Sequence, residues 1–256
     1  MPVDIPDAWA LEVAPAIIRR TSHWREFDAD GRQLLAESGQ LSGAGLRLSL
    51  GAGAGRMHLL VERVDGDRAY AGQTNTGAPV ETTVALAESA VELGFDYPLV
   101  AGWSGTFTAA WQGVDRHLRD TPIASGYVEH WHWMNWRPGL AWRGELMPGG
   151  DVRVTAALGW SSHRSLRLEQ AGRDPARLEP GQGLGRQFTI GYQHRLQGGA
   201  RHRWAWHAEW AWSDLRFAAS PVVPLFNSGV LRGGALQPTT RTGATDLRLG
   251  LTLSWL

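Results

Sequence analysis

Strict two-residue alternation of apolar and polar side chains constrains this chain more than any other feature of its sequence. The C-terminal segment is the clearest case, because every second residue is apolar and the residues between them are small, polar or charged. Its apolar positions are Leu247, Leu249, Leu251, Leu253 and Trp255. Successive side chains of a β-strand point to opposite faces of the sheet. The pattern therefore predicts a strand with one apolar face and one polar face.

Similar segments recur along the whole chain, and two kinds of connection separate them. Further strands are predicted around residues 46–50, 103–112, 134–146, 152–160, 188–192 and 204–213. Short connections are predicted at Gly51–Arg56, Asp96–Ala101, Met147–Asp151 and Gln197–His202. Longer, more polar ones are predicted at Asp28–Arg32, Asp65–Val80, His117–Ser125, Gln170–Gly185 and Ala218–Gly243. This alternation predicts an all-β fold, a closed antiparallel transmembrane barrel of about ten strands, or else twelve, with both termini at the short-turn end.

The spacing of the tryptophans favours a membrane barrel over a soluble one. Trp103 and Trp111 lie eight residues apart on one predicted face, as do Trp204 and Trp212. At a rise of about 3.4 Å per residue and a tilt near 40°, eight residues cover roughly 20 Å along the membrane normal, close to the height of the apolar band of such barrels. The predicted lipid-facing aromatic girdle consists of Trp103, Trp111, Trp136, Trp142, Trp160, Trp204, Trp212 and Trp255.

Composition excludes several classes of protein. The sequence has no run approaching the roughly 20 apolar residues that a membrane helix needs. It has no cysteine, which excludes a disulfide framework and a thiolate metal site. The 25 basic residues equal the 25 acidic ones, and this balance argues against a nucleic-acid partner. All the basic residues are arginine, which pairs bidentately with carboxylates in confined spaces.

With these strands, turns and girdle, the chain resembles the small, non-porin outer-membrane β-barrels of Gram-negative bacteria. The resemblance covers nearly the whole chain and identifies no specific family. It implies one barrel domain over residues 1–256, with residues 1–7 as a periplasmic tail, in contact with outer-membrane lipid and lipopolysaccharide. Residues 1–6 have neither the charged nor the apolar region of a signal peptide. We therefore expect an exported protein whose signal peptide is absent from this sequence.

The polar faces of the strands should line the lumen. A barrel of about ten strands is narrow enough for side chains to fill, and unpaired charges inside it are costly. We therefore expect acids and arginines to pair into a network that holds the barrel rigid, with a narrow conduit for ions or small solutes as the alternative. The predicted luminal charges are Glu12, Arg20, Arg47, Glu62, Glu92, Asp96, Arg137, Arg143, Glu145, Arg153, Arg195, Arg203, Glu209 and Arg248.

A third functional class is a hydrolase at the outer rim. The spacings Asp65-Gly66-Asp67 and Asp115-Arg116-His117 resemble those of the omptin proteases, ten-stranded barrels that activate a water with a carboxylate pair and an Asp-x-His pair. Asp65-Gly66-Asp67 is equally compatible with a tight turn, in which glycine permits positive φ. Asp115 and His117 share the parity of Trp111, and a regular strand would turn them outward.

Lipase-like chemistry would need a serine or carboxylate beside a histidine inside the lumen. Ser161 with His163, or His207 with Glu209, has the required residue types. A nucleophile and its base must converge within hydrogen-bond reach, and neighbouring sequence positions alone do not establish this. Ordinary polar lining of the lumen is the simpler interpretation.

Metal and cofactor sites are weakly indicated. His130 and His132 place two imidazoles on one face of a strand, a spacing suited to zinc, but no third ligand is evident. Both share the parity of Trp136, which favours a place in the aromatic belt. No nucleotide-binding loop, dinucleotide fingerprint, haem or iron–sulfur motif is present in the sequence, so no cofactor is implied.

The last loop, residues 218–243, is the longest connection and contains many apolar residues. A loop of this length and composition is expected to fold against something and not to move freely in water. We predict that it plugs the barrel mouth or docks on a protein partner. The leading functional interpretation is a structural anchor or a component that recognises a partner at the cell surface; the sequence favours a role without catalysis but leaves the rim hydrolase open.

Overall fold

The computed structural model describes residues 10–52, 55–74, 77–196 and 202–255, and its regular structure there is β-strand. In chain order the strands are β1 (Ala10–Phe27), β2 (Gln33–Ala52), β3 (Gly55–Gln73), β4 (Pro79–Pro98), β5 (Trp103–Leu118), β6 (Tyr127–Met147), β7 (Gly150–Gln170), β8 (Ala176–Leu178), β9 (Gly183–Arg195), β10 (His202–Phe217), β11 (Val223–Asn227), β12 (Val230–Ala235) and β13 (Thr239–Trp255). No helix in the described part of the chain is long and apolar enough to cross a membrane. The predicted tail, residues 1–7, lies outside the described residues, as does most of the predicted turn Gln197–His202.

Ten long strands close into a single antiparallel barrel. Consecutive strands β1 to β7 pair with one another, and β7 then pairs with β9, β9 with β10 and β10 with β13. Closure is made by β1 and β13, which pair from Leu11 opposite Trp255 to Phe27 opposite Thr239. Because the sheet closes on itself, no long strand is left with an unpaired edge. The predicted closed barrel of about ten strands is confirmed.

The two ends of the barrel differ in their connections. At one end β4 and β5, and β6 and β7, are joined by tight turns with positive φ at Gly102 and Gly149. At the other end three of the five connections are longer, and the last two of these carry β8 and the hairpin of β11 and β12. We call these the periplasmic and extracellular ends, as the fold implies. The short loop 28–32 is held by Asp28, whose carboxylate accepts the amides of Asp30 and Arg32.

Two strands extend further toward the extracellular end than predicted. β3 continues through Asp65 and Asp67 to Gln73, in register with β2 and β4, so the predicted start of the loop Asp65–Val80 is wrong and Asp65-Gly66-Asp67 does not form the alternative tight turn. β13 begins at Thr239, inside the predicted loop 218–243. The reason is physical. Beyond the lipid a strand keeps its hydrogen-bonded ladder, but its outer face no longer needs to be apolar, so the alternation fades while the strand continues.

The outside of the barrel carries an apolar belt. Ile17, Leu158 and Leu184 are 63–70% exposed, and many other large apolar side chains are exposed on this face. A soluble protein rarely exposes so large a continuous apolar surface, whereas lipid accommodates it. The predicted girdle residues lie on the same face: Trp103, Trp111, Trp142, Trp160 and Trp204 are exposed, and Trp136, Trp212 and Trp255 are half-buried.

Candidate functional site in the barrel lumen

The extracellular half of the lumen is filled by an aromatic core, which sequence analysis did not predict. Trp24, Trp131 and Phe217 are at most 1% exposed. Trp24 meets Trp131 edge-to-face with ring centroids 5.0 Å apart, and Trp133 meets Phe217 in the same way at 5.4 Å. Other buried members come from nearly every wall: Leu35, Leu41, Val64, Tyr70, Val80, Val84, Leu86, Val114, Leu118, Leu166 and Leu178.

A buried ion cluster lies within this core. The guanidinium of Arg116 is fully buried and donates to Glu37, at 2.9 Å from Nε and in a second short contact from Nη2, and to Glu129 at 2.7 Å. It also lies 5.8 Å from the ring centroid of Trp24 and 5.6 Å from that of Tyr127. These contacts link β1, β2, β5 and β6 across the lumen. Since removing one partner would leave a buried charge uncompensated, they fix the geometry of this end.

The extracellular loop 218–238 is tied to the same cluster. Glu26 is buried and accepts hydrogen bonds from Trp24 Nε1 at 2.9 Å and from Gln237 Nε2 at 3.0 Å. Gln237 also donates to the Thr240 hydroxyl, and its backbone amide donates to Ser220. The base of the last loop is therefore anchored inside the barrel mouth.

A second charge network crosses the middle of the lumen around Arg20. Its guanidinium donates to Asp246 from Nε at 2.7 Å, to Glu88 from Nη1 at 2.7 Å and to Glu62 from Nη2 at 2.8 Å. These groups are 7–16% exposed and belong to β1, β3, β4 and β13. One side chain thus connects four strands from within.

Arg248 and Arg68 complete this middle network. Arg248 donates to Glu209 at 2.5 Å, to Asp246 at 2.7 Å and to Glu62 at 3.0 Å. Arg68 donates to Glu88 at 2.6 Å and to the Ser22 hydroxyl at 2.8 Å. Arg20 and Arg248 share two carboxylates, so the network is continuous across the lumen.

The periplasmic half of the lumen also holds ion pairs, but water reaches them. Asp96 accepts two hydrogen bonds from Arg153 at 2.8 and 2.9 Å, and this arginine is 37% exposed. Asp151 is paired with Arg143 and Arg195, whose side chains are 49% and 54% exposed. Further pairs join Arg137 and His58 to Glu92, and Arg56 to Glu12.

A cavity of about 330 Å³ occupies the lumen between these charges. At the extracellular side it ends against Trp24, Val114 and Trp133, and the more distal core residues Trp131 and Phe217 are not among its walls. At the other side it is lined by half-exposed groups such as Arg153. The described lumen is thus a blind pocket that opens toward the periplasmic end.

Most of the predicted luminal charges come together in these networks. The paired ones are Glu12, Arg20, Arg47, Glu62, Glu92, Asp96, Arg137, Arg143, Arg153, Arg195, Glu209 and Arg248. Glu145 instead accepts the amide of Gly149 at the exposed turn, and Arg203 is exposed at the same end. The prediction missed Glu37, Arg116 and Glu129 near the extracellular end, and it missed Arg68, Glu88 and Asp246 in the middle network. Arg116 was considered only as part of the motif Asp115-Arg116-His117. Its even position on β5 places it on the face opposite to that of the outward Trp111, which was the signal that it lines the lumen.

The hydrolase candidates lie on the outside of the barrel. Asp65 is in register with Ala87 and then with Asp115, while Asp67 is in register with Ala85 and then with His117. All four candidates therefore lie in one patch on the outer face, with two alanines of β4 between the pair on β3 and the pair on β5. They face away from the lumen, as the shared parity of Asp115 and His117 with Trp111 indicated. The Asp67 carboxylate lies 3.6 Å from the Arg119 guanidinium.

The two metal-ligand candidates, His130 and His132, also face outward. Nδ1 of His130 lies 2.7 Å from a carboxylate oxygen of Asp115, and His132 stacks on Trp111 with ring centroids 5.5 Å apart. Over the described residues there is no group of three or more His, Cys, Asp or Glu side chains placed to hold a metal ion.

The lipase-like pairs do not form. Ser161 points inward and is buried, whereas His163 is exposed and has φ of 48° next to a register shift between β6 and β7. The extra residue in β7 turns the two side chains to different sides of the wall. His207 lies 3.1 Å from the Thr252 hydroxyl, and Glu209 is bonded to arginines.

Comparison with known proteins identifies the fold and not the family. No protein-family model matches the chain, and no curated protein matches it. Among solved structures, the outer-membrane protease OmpT from Escherichia coli is 9% identical with a TM-score of 0.59, over 98% of this chain and 97% of that one. The translocator domain of the autotransporter NalP from Neisseria meningitidis is 9% identical with a TM-score of 0.45, over 94% and 87%. OprG from Pseudomonas aeruginosa is 9% identical with a TM-score of 0.37, over 94% and 95%.

The fold is that of the Gram-negative outer-membrane β-barrels. At 9% identity the likeness to OmpT concerns the fold alone. A closed barrel with an apolar outer belt is consistent with a place in the cell outer membrane.

Proposed function

We propose that this protein is a non-conducting outer-membrane barrel that serves as a rigid anchor and presents a recognition hairpin at the cell surface. The observation that carries the proposal is the aromatic core. Trp24 forms the end of the cavity, and Trp131 and Phe217 fill the lumen beyond it; all three are at most 1% exposed. A diffusion channel would require this packed core to move aside.

The cross-lumen networks support the anchoring role. Arg20 and Arg248 bond to carboxylates on strands that are not their neighbours, and Arg116 does so near the extracellular end by its pair with Glu37. Breaking a buried pair by removing one partner typically costs about 3–5 kcal/mol. The barrel wall is therefore braced from within at two levels, which suits a support for surface loops better than a gated pore.

The hairpin formed by β11 and β12 is the candidate recognition element. Val223, Leu225 and Ala235 pack against the aromatic core, while Val222 and Leu231 are 68% and 61% exposed. An apolar patch held out in water marks a surface for a partner. The exposed patch supports docking of the hairpin on another protein. The inner face of the hairpin, which packs on the aromatic core, supports a role in closing the barrel mouth.

Asp174, from the loop before β8, holds the tip of the hairpin. Its carboxylate accepts the amides of Ser228 and Gly229, each at 3.2 Å, and its own amide donates to the Phe226 carbonyl at 2.9 Å. A loop fixed in this way loses less conformational entropy when it binds. The hairpin is thus preorganised for binding.

The test replaces both exposed apolar side chains, Val222→Ser and Leu231→Ser, and measures crosslinking to neighbouring proteins on intact cells. We expect the variant to lose a specific crosslinked adduct. The matched control is Ile123→Ser, because Ile123 is 61% exposed on a different extracellular loop. Adducts that persist in the hairpin variant, or that disappear equally in the control, would contradict the recognition role.

A further inference from the structure

Three arginines stand side by side on the outer wall near the extracellular end. Arg25 of β1 is directly opposite Arg241 of β13, and Arg241 is directly opposite Arg216 of β10. One row nearer the membrane, Arg186 of β9 is opposite Asp214 of β10. We call these four arginines the outer basic patch.

The patch carries more positive charge than the protein neutralises. Like charges directly opposite each other in a sheet are destabilising. Asp214 is the carboxylate within the patch, 2.7 Å from Arg241 Nε and 3.7 Å from Arg186 Nε. Arg25 and Arg216 have no carboxylate partner in the described part of the chain. Such a row is stable when anions from outside the protein lie between the guanidinium groups.

The height of the patch matches that of lipid headgroups. The Arg186 guanidinium lies 5.1 Å from the ring centroid of Trp212, which is in register with Thr245. Arg241 is four residues further along β13, or about 10 Å along the membrane normal for a strand tilted near 40°. The patch therefore lies directly above the aromatic girdle, and the exposed Leu247 lies below it.

The opposite wall at the same level has a different charge. There Asp65, Asp67 and Asp115 face outward, and the last two are near Arg119 and His130. Arginines are therefore not spread evenly around the rim of this barrel. On the opposite wall Arg63 and Arg119 face outward beside these carboxylates, whereas three arginines directly opposite one another occur on β1, β13 and β10.

We propose that the outer basic patch binds phosphate groups of anionic lipids in the outer leaflet. Arginine matches phosphate with two parallel hydrogen bonds and keeps its charge at any physiological pH. A lipid bound there would place its phosphates between Arg25, Arg216 and Arg241, and its acyl chains along Trp212 and Leu247. This inference is independent of whether the lumen conducts.

The test compares lipids that differ only in phosphate, using native mass spectrometry of the detergent-solubilised protein. The probes are diphosphoryl lipid A, the same lipid without its phosphates, and inorganic phosphate. We expect the diphosphoryl lipid to bind about tenfold more tightly than the dephosphorylated one, as for a few exposed ion pairs acting together. The triple variant Arg25→Gln, Arg216→Gln, Arg241→Gln should lose this preference.

The matched control removes three outward-facing arginines from the opposite wall of the barrel, with Arg63→Gln, Arg119→Gln and Arg167→Gln, and should keep the preference. Equal binding of the two lipids, or equal loss in both variants, would overturn the proposal. Competition by inorganic phosphate at the same concentration would indicate a free-anion site and would overturn the lipid assignment. If the triple variant fails to fold, Arg216→Gln alone, which breaks no ion pair, should reduce the preference severalfold, and an unchanged preference would count against the patch.

Discussion

The two halves of the lumen use the same pairs of arginine and carboxylate in different surroundings. At the extracellular end Arg116 and Glu37 are fully buried among aromatic rings, whereas at the periplasmic end Arg153 and Arg143 are 37% and 49% exposed beside their partners. A buried pair and a hydrated pair of equal geometry differ mainly in the desolvation that each must offset. The comparison teaches that position along the barrel axis, and not the residue types, decides how much stability is lost when one partner of a pair is removed.

The largest effect is expected from removing the aromatic core. Trp131→Ala with Phe217→Ala deletes two side chains that are at most 1% exposed and whose rings lie 6.0 Å apart. Each such truncation typically costs about 3–5 kcal/mol, although neighbouring sites need not add. Urea unfolding in micelles should show the loss, and bilayer recordings should show a new conductance. Trp204→Ala, on the outer face, should leave the lumen closed.

A somewhat smaller effect is expected from the buried ion cluster. Arg116→Gln leaves Glu129 without its cation and leaves Glu37 with only the more distant Arg68, 3.8 Å away, in a fully buried region. We expect the free energy of unfolding to fall by about 3–5 kcal/mol. A loss below about 1 kcal/mol, measured by the same urea titration, would mean that water enters the extracellular half.

The middle network should give an intermediate value. Arg248→Gln removes a donor to Glu209, Glu62 and Asp246, but Arg20 still bonds to the last two. We expect a loss of about 2 kcal/mol, as for hydrogen bonds to charged groups. If the loss equals that of Arg116→Gln, the gradient of burial along the axis does not set the strength of the pairs.

The smallest effect is expected at the periplasmic end. Arg143→Gln removes a half-exposed partner of Asp151, which keeps Arg195 at 3.2 Å. The free energy of unfolding should change by less than about 1 kcal/mol. A loss as large as that at the middle network would show that the two halves do not differ in hydration as described.

The membrane-embedded part of the barrel could be predicted from the sequence because lipid imposes a simple rule. Along β13 the outward Leu247 to Trp255 alternate with inward groups such as Arg248, and the structure has the same faces. Within the apolar belt, the apolar side chains of a strand are those that face outward. From that rule we could predict the strands, the closed barrel and most of the charged residues that line the lumen.

The extracellular half could not be predicted because the rule inverts there. On β6 the outward residues are Leu140 and Trp142 in the belt but His130 and His132 above it, and Trp131 and Trp133 point inward. Odd or even position shows which residues of a strand share a face, but it does not show which of the two faces is in contact with water. The aromatic core and the cluster around Arg116 were missed for this reason, as was the strand character of Asp65 and Asp67.

Single-channel recording of the purified protein in a planar lipid bilayer tests the central claim most directly. We expect no steady open level for the wild-type barrel, because the core of Trp24, Trp131 and Phe217 fills the extracellular half of the lumen. The double variant Trp131→Ala, Phe217→Ala, recorded under the same conditions, should conduct and thereby show that inserted barrels are detected. A steady open level in the wild type would contradict the account.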